Sequence, residues 1–428
     1  MTRLKEGGIS DVMPSRVVII SDLCEARDGP SVIALKNAGM LADHGVSVVY
    51  FCGDSGDNPG LREKGVEIHA IGNSELRRLS FANAAITGLF NATAARRLRA
   101  LIRENDTPGT LYHVHNWSKI LSPSIFAVLR PVMARVVLSA HDFFLACPNG
   151  GYFNFQKGVP CTLAPLSLAC LGSNCDRRSR LEKAWRIVRD IERRAFMDLS
   201  RSKGMILAVH EGMVGLLEHG GVSALSIKVL RNVVEPWSAE RVAAEDNSEF
   251  LFVGRLDHDK GVLLLADAAK QADVPVTFVG DGELAQEIAA RYPRARLLGF
   301  KDRLGLREVA SRARCVVVPT RSRETFSLVA YEAISSGIPV IISDFAATRD
   351  DILQEGVGFR CNPYDTAGLS ATLKTLAADD ATIAAMSHRG FLGRDHMTLS
   401  ASNWQQRLFD LYRSQMLQAD MANRSLVH

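Results

Sequence analysis

Four charged side chains in the second half of the chain have the types and spacing to grip a phosphorylated sugar. Arg255 and Lys260 bracket the loop Gly254 to Gly261, and Glu324 and Glu332 stand with seven residues between them. Two cations on one loop can neutralise a diphosphate leaving group in place of a metal ion. A helix start between the two glutamates would offer unpaired N–H groups and a partial positive charge, which suits phosphate. An acid just before that helix would repel phosphate but accept hydroxyl protons from a sugar. Taken alone, two acids at this spacing also describe a solvated helix face, so the elements around them decide.

Those elements read as strand, loop, helix, strand. Cys315-Val316-Val317-Val318 is a short apolar run of the kind that forms a buried parallel strand. Apolar positions 326, 329, 330, 333 and 334 recur at helical spacing, with Thr325 or Ser327 placed to cap. Gly337 stops the helix ahead of a second apolar run, Ile338 to Ile342. Glu324 then lies at the carboxyl end of a strand, where parallel α/β sheets hold their ligands, and Glu332 lies one to two turns into the helix.

Further strands fit at 250–253, 276–279 and 296–298, so a doubly wound domain is expected over 236–400. The 401–428 tail is amphipathic and expected to pack back on the first domain as a helix. The first half opens with strand 16–22, a helix from about 32 to 44 and strand 46–51, a βαβ unit. A probable strand at 66–69, a basic helix over 86–104, strands 111–116 and 135–140, a long basic helix over 181–200 and strand 205–209 complete a domain expected over 1–235. Residues 232–248 read as the linker. The fold class is α/β, with two doubly wound, Rossmann-like domains facing a cleft.

Within the first domain His141 sits at a strand end facing the proposed cleft, and Asp142 follows it. His113 and His115 alternate on one strand and share a face, where packing accounts for at least one of them. Cys147, Cys161, Cys170 and Cys175 fall in an irregular insertion, 147–175, with thirteen, eight and four residues between successive cysteines. Four thiolates could close a structural zinc site there; the alternative is buried or incidental thiols. Two rival patterns stand in the second domain. Asp257-x-Asp259 invites a metal-dependent reading, set against ordinary capping or solvated acids. Gly280-Asp281-Gly282-Glu283-Leu284-Ala285 matches a dinucleotide turn, but it falls mid-domain and reads better as a tight turn near a nucleotide base.

The bulk numbers bound the class. At 428 residues, 47% hydrophobic and 23% charged, the chain is expected to form two soluble globular domains. Its net charge of +4 is uneven, with 29 Lys/Arg against 22 Asp/Glu in residues 1–235 and 22 against 25 thereafter. A basic first half suits an anionic membrane surface or anionic acceptor, and it lacks the interleaved aromatics of a nucleic-acid surface. No run is apolar enough for a spanning helix, the opening residues lack a signal-peptide core, and most cysteines sit in apolar runs or one local cluster. A cytoplasmic enzyme, peripheral to the inner face of the plasma membrane, is the expectation.

In order and spacing, the second domain resembles the family-4 retaining glycosyltransferases of the GT-B fold, also described as glycosyl transferases group 1. The resemblance runs through Phe252-Val253-Gly254-Arg255-Leu256 with Lys260-Gly261, Val279-Gly280-Asp281-Gly282, Leu298-Gly299-Phe300 and Glu324 to Glu332 with Ser336 to Val340. The first domain matches more loosely, through its βαβ unit, Val114-His115-Asn116 and His141-Asp142. The resemblance implies retaining sugar transfer from a nucleotide diphosphate sugar to a glycan or lipid-linked acceptor, without a cofactor for catalysis, in surface polysaccharide or glycolipid synthesis. Glu324, His141, Lys260 and Arg255 would be the catalytic set. Arg255 and Lys260 would hold the diphosphate, Glu332 the ribose diol and Glu324 the sugar hydroxyls. Backbone groups at Thr325, Phe326, Ser327 and Leu328, with Gly280 and Phe300, would complete the donor site. Gly29 and His115 would border the acceptor. The family commonly has Gly where this chain has Thr325 and Ser327, and a Gly-Gly turn where it has Asp28-Gly29-Pro30. A sugar-nucleotide epimerase or phosphorylase on the same architecture, or an inactive sugar-nucleotide-binding module, are the alternatives.

Overall fold

The computed structural model describes residues 13–424, with the side chains of the last two not included. Residues 1–12, read above as lacking a signal-peptide core, and the last four of the 401–428 tail lie outside them. Fifteen strands follow one another among the described residues. In the first half these are β1 (Arg16–Ser21), β2 (Ser47–Cys52), β3 (Glu67–Ala70), β4 (Thr110–Val114), β5 (Val136–Ala140), β6 (Phe153–Asn154), β7 (Val159–Pro160), β8 (Met205–Ala208) and β9 (Ile227–Val229). In the second they are β10 (Glu249–Val253), β11 (Val276–Val279), β12 (Arg296–Leu297), β13 (Ala313–Val318), β14 (Val340–Ser343) and β15 (Gly358–Cys361).

Two parallel sheets result, ordered β3-β2-β1-β4-β5-β8-β9 and β12-β11-β10-β13-β14-β15. Helices cover both faces, as the near-continuous apolar strands require. Val316 and Val317 are fully buried, and so are Ile19 and Ile20. In each sheet the order reverses beside the first strand of its half, between β1 and β4 and between β10 and β13. A crevice opens at the carboxyl ends of such strands. The loops after β1, β4, β10 and β13 therefore supply the cleft.

Several expectations shift. The first helix starts at Gly29, because Asp28 accepts from the Ser31 N–H and Ser31 returns the bond, a capping box with Pro30 in the first turn. The basic helix expected over 86–104 is two, Phe81–Leu89 and Ala92–Asn105, since the Asn91 side chain caps the second at Ala94. The long basic helix runs Arg180–Phe196 and ends four residues short of its expected limit. The helix between the two glutamates is shorter than its apolar spacing suggests, Leu328–Ser335, and Ser327 at its N-cap makes no side-chain capping bond. The linker is not loose. Its Trp237 is buried, and Val233 bridges to Leu399. Strands β6, β7, β9 and β15 fall in stretches for which no strand is expected from the sequence.

The closing helix, Ala401–Arg424, crosses back to the first half. Its Trp404, Leu408, Tyr412 and Met416 share a buried cluster with Ile19, Ile33 and Tyr50. No helix among the described residues is long and apolar enough to cross a membrane.

Candidate active site

The cleft brings together most of the residues singled out above. After β13 the chain runs through Glu324 into the Leu328–Ser335 helix, and after β10 it turns through His258–Lys260 onto Gly261. Gly261 adopts φ 72°, and a Cβ there would stand 2.0 Å from the Pro319 carbonyl oxygen. Only glycine lets the two loops touch. That contact carries Lys260 to Glu324, Nζ to Oε1 3.2 Å. The other carboxylate oxygen of Glu324 is buried without a partner. Gly280 is constrained the same way, since a Cβ would meet the Gly254 carbonyl oxygen at 2.0 Å.

The helix start is equally incomplete. Ser327 is buried, its hydroxyl has no partner, and none of the N–H groups of Phe326, Ser327 and Leu328 meets a protein acceptor among the described residues. Buried polar groups are ordinarily satisfied, so this cluster of orphans fits an anion or hydroxyl that the fold itself does not supply. Phe326 stacks on Tyr331 with centroids 5.0 Å apart, which fixes the loop's path.

Glu332 lies deeper. The Trp237 indole N–H donates to its Oε2 at 3.2 Å, and burial pushes its carboxyl up to about 7, opposed by Lys36 and Arg303. Both cations also reach Glu235, at 3.0 and 3.3 Å. Trp237, Lys36 and Arg303 were not foreseen. Trp237 falls in the stretch read as linker, and no local pattern could have shown where it packs.

Arg255 is largely exposed and pairs with Asp257 of its own loop at 2.8 Å. Asp259 pairs with Arg177 of the first half rather than with Asp257. Phe300 is exposed at the rim.

From the first half, His141 reaches the donor loop through its backbone. The Thr325 hydroxyl donates to the His141 carbonyl at 2.7 Å. Behind His141 the rings form a stack, His141 on His115 at 5.5 Å and His115 on His113 at 4.0 Å. His115 Nδ1 lies 3.2 Å from His141 Nε2, and His113 Nδ1 lies 2.6 Å from the Tyr412 hydroxyl. Burial lowers all three below the ordinary histidine range, His141 to about 4 and His113 to about 3, so the stack is neutral near pH 7. His115, expected beside the acceptor, is placed behind His141. Gly29 is at the start of its helix, where a Cβ would lie 3.7 Å from Leu328 Cδ1, so two helix starts face each other across the cleft.

The cysteines assemble differently from a zinc knuckle. Asn149 lies 3.1 Å from Cys147 Sγ and 3.3 Å from Cys175 Sγ, and Lys183 Nζ lies 3.7 Å from Cys170 Sγ. An amide and an ammonium thus occupy the space among three thiols. Cys161 is only half-buried. Among the described residues no three Cys, His, Asp or Glu side chains are placed to hold a metal ion.

Comparison with known proteins decides what this cleft belongs to. Residues 233–391 match the family described as glycosyl transferases group 1. The second half of the chain thus carries the group 1 glycosyltransferase match, and the chain as a whole has the GT-B fold. Over 200 residues it is 30% identical to a glycogen synthase of Mycobacterium tuberculosis, a match covering 43% of this chain and 47% of that protein. It is 28% identical over 206 residues to a phosphatidyl-myo-inositol mannosyltransferase of Mycobacterium leprae, covering 43% and 55%. The chain thus spans about half the length of the curated relatives it matches. The sucrose-phosphate synthase of Thermosynechococcus elongatus superposes with TM-score 0.69 at 17% identity, over 93% of this chain and 98% of that one. Anabaena HepE, solved in complex with UDP, superposes with TM-score 0.65 at 14% identity, over 93% and 100%. At these identities the two structures speak for the fold.

Proposed function

We propose that the chain transfers a sugar from a nucleoside diphosphate sugar to a glycan or lipid-linked acceptor with retention, without a catalytic metal, in surface polysaccharide or glycolipid synthesis. One observation carries the reading. Unsatisfied polar groups (the Ser327 hydroxyl, the N–H groups of 326–328 and one Glu324 oxygen) cluster beside Lys260 at the reversal point of the second sheet.

The phosphates would lie against the Leu328–Ser335 helix start and Lys260. Arg255 would swing from Asp257 onto them. Glu332 would accept from the ribose hydroxyls and Glu324 from the sugar. As the bond from the anomeric carbon to the phosphate oxygen breaks, charge grows on the phosphate, where Lys260 and the helix start are already aimed. The acceptor hydroxyl bonds to the anomeric carbon on the same face, and its proton passes to the departing phosphate oxygen. His141, neutral by burial, would contribute position rather than charge.

The basic first half and the exposed Phe81, Ile86, Leu181 and Val188 support a peripheral seat on an anionic membrane, and eight cysteines without a disulfide suit a reducing cytosol. The test of the central reading is a thermal-shift panel of nucleoside diphosphate sugars followed by product analysis with and without acceptor. A sugar product of retained anomeric configuration, formed only when acceptor is present, is expected. A donor isomerised without acceptor would overturn it.

A further inference from the structure

A cavity of about 730 Å³ lies in the first half, between the Phe81–Leu89 and Arg180–Phe196 helices and the loops after β1, β4 and β5. The Trp185 indole N–H donates to the Ala85 carbonyl at 3.0 Å and joins the two helices at its wall. The volume is within the roughly 300–1,000 Å³ of small-molecule sites. Two features set its chemistry. Phe81, Leu181 and Val188 line it while remaining 71%, 64% and 52% exposed, so an apolar mouth opens on the outer surface. Arg255 also lines it, so the cavity extends to the donor loop.

The charged lining comprises seven basic and four acidic side chains. The acids are largely spoken for. Asp28 pairs with Lys119, Glu75 with Arg77 at 3.1 Å, and Glu182 with Arg178 at 2.8 Å, while Asp142 accepts from the Phe144 N–H. Arg189 is different. It is 5% exposed, held by the Ser118 carbonyl at 2.8 Å and by the rings of Trp117 and Trp185, and its Nε has no partner. Arg189 thus brings a buried guanidinium to the cavity wall, faced from within by Asp22 and Asp142 and with its hydrogen-bonding capacity only partly used, which suits an anion.

We propose that this cavity binds the lipid carrier of the acceptor, a single-chain aliphatic phosphate ester whose attached sugar keeps the attacking hydroxyl. Its phosphate lies against Arg189, and its chain runs between Phe81, Ala84, Leu181 and Val188 to the surface. The assignment as acceptor rests on the sugar-transfer reading; the binding chemistry does not. A membrane lipid with a phosphate headgroup shares that chemistry, and the experiment separates the two.

Because Trp185 lines the cavity, its fluorescence reports occupancy directly. Geranyl phosphate should quench it saturably, with geraniol at least tenfold weaker and inorganic phosphate without effect. Trp185→Phe identifies the signal. Ala84→Phe, which fills the cavity, and Leu181→Glu, which charges its exposed mouth, should each weaken geranyl phosphate by tenfold or more. Arg189→Gln should remove the preference over geraniol. Stabilisation by UDP, GDP or ADP should be unchanged in Leu181→Glu, which also verifies that variant's fold. No saturable quenching, or geranyl phosphate binding unchanged in Ala84→Phe and Leu181→Glu, overturns the proposal. Equal or tighter binding of short-chain phosphatidylglycerol overturns the single-chain assignment. Geranyl phosphate binding without stabilisation by any nucleotide would leave the cavity standing and remove the donor reading instead.

Discussion

The two faces of the cleft are built on opposite plans. On the second-half face, polar groups are left incomplete: among the described residues, a Glu324 oxygen, the Ser327 hydroxyl and three backbone N–H groups have no protein partner. On the first-half face, the histidine rings at the ends of β4 and β5 are bonded in line, with the Asn37 Oδ1 left over behind them. His141, His115 and His113 stack in line, and Asn37 and Tyr412 close the far end. Orphaned donors cost stability unless a ligand satisfies them, so the second-half face is organised for a partner. Neutral, mutually bonded histidines hold a shape, so the first-half face is organised to present one surface. The contrast argues that the second-half loop is left open for a ligand, while the histidine stack holds the first-half loop in place against it.

The sharpest way to break that contrast is Lys260→Ala. Loss of the cation should reduce turnover about 1,000-fold, as for other preorganised charge-stabilising groups. Its partly exposed pair with Glu324 contributes on the order of 1 kcal/mol or less to stability, so the melting temperature should barely move. Steady-state kinetics beside a melting curve checks both, and turnover within a few-fold of normal would remove Lys260 from the site. Next comes Gly261→Ala, which should destabilise by about 2–4 kcal/mol in urea denaturation. The new methyl meets the Pro319 carbonyl at a positive φ.

Glu332 gives a pH signature that the first-half face should not share. Its carboxyl is raised in the folded chain, from 4.5 to about 7. The stability this group contributes is therefore fully present below about 4.5 and lost as pH rises through about 7. If Glu332 grips a ribose diol as proposed, it does so as the ionised acceptor, and donor affinity should instead rise with pH, by up to about tenfold per unit below the folded value. Glu332→Gln should flatten both slopes; titrations by thermal shift with and without nucleotide compare them. The smallest effect belongs to Tyr412→Phe. Removing the hydroxyl should cost about 1 kcal/mol by denaturation and leave donor affinity unchanged.

Legibility followed the same division. The second-half face is local in sequence: Arg255 and Lys260 share one loop, and Glu324, Ser327 and Glu332 one strand–loop–helix unit, so period and spacing place them together. What was missed there is non-local. Trp237 reaches Glu332 from 95 positions away, out of a stretch whose composition reads as a linker. On the first-half face nearly everything is non-local. Nothing at Cys147, Cys170 or Cys175 announces that Asn149 and Lys183 fill the space among them. Nor does the tail show that Tyr412 reaches a histidine 299 positions away.

By itself the sequence determined two parallel α/β sheets, because short runs such as 315–318 and 338–342, apolar on both faces, satisfy only strands covered on both sides by helices. It singled out the residues that meet at the reversal point of the second sheet as well, because loops at strand carboxyl ends carry their side chains a few residues from the strand that places them. Tertiary structure alone decided the strand order, and so the reversal points from which the cleft opens. It also decided that Gly261 must pass against Pro319 for Lys260 to meet Glu324, and that Arg189 would be buried on a cavity wall with a donor to spare. Those outcomes depend on which distant surfaces pack together, a property of the folded chain that no local spacing records.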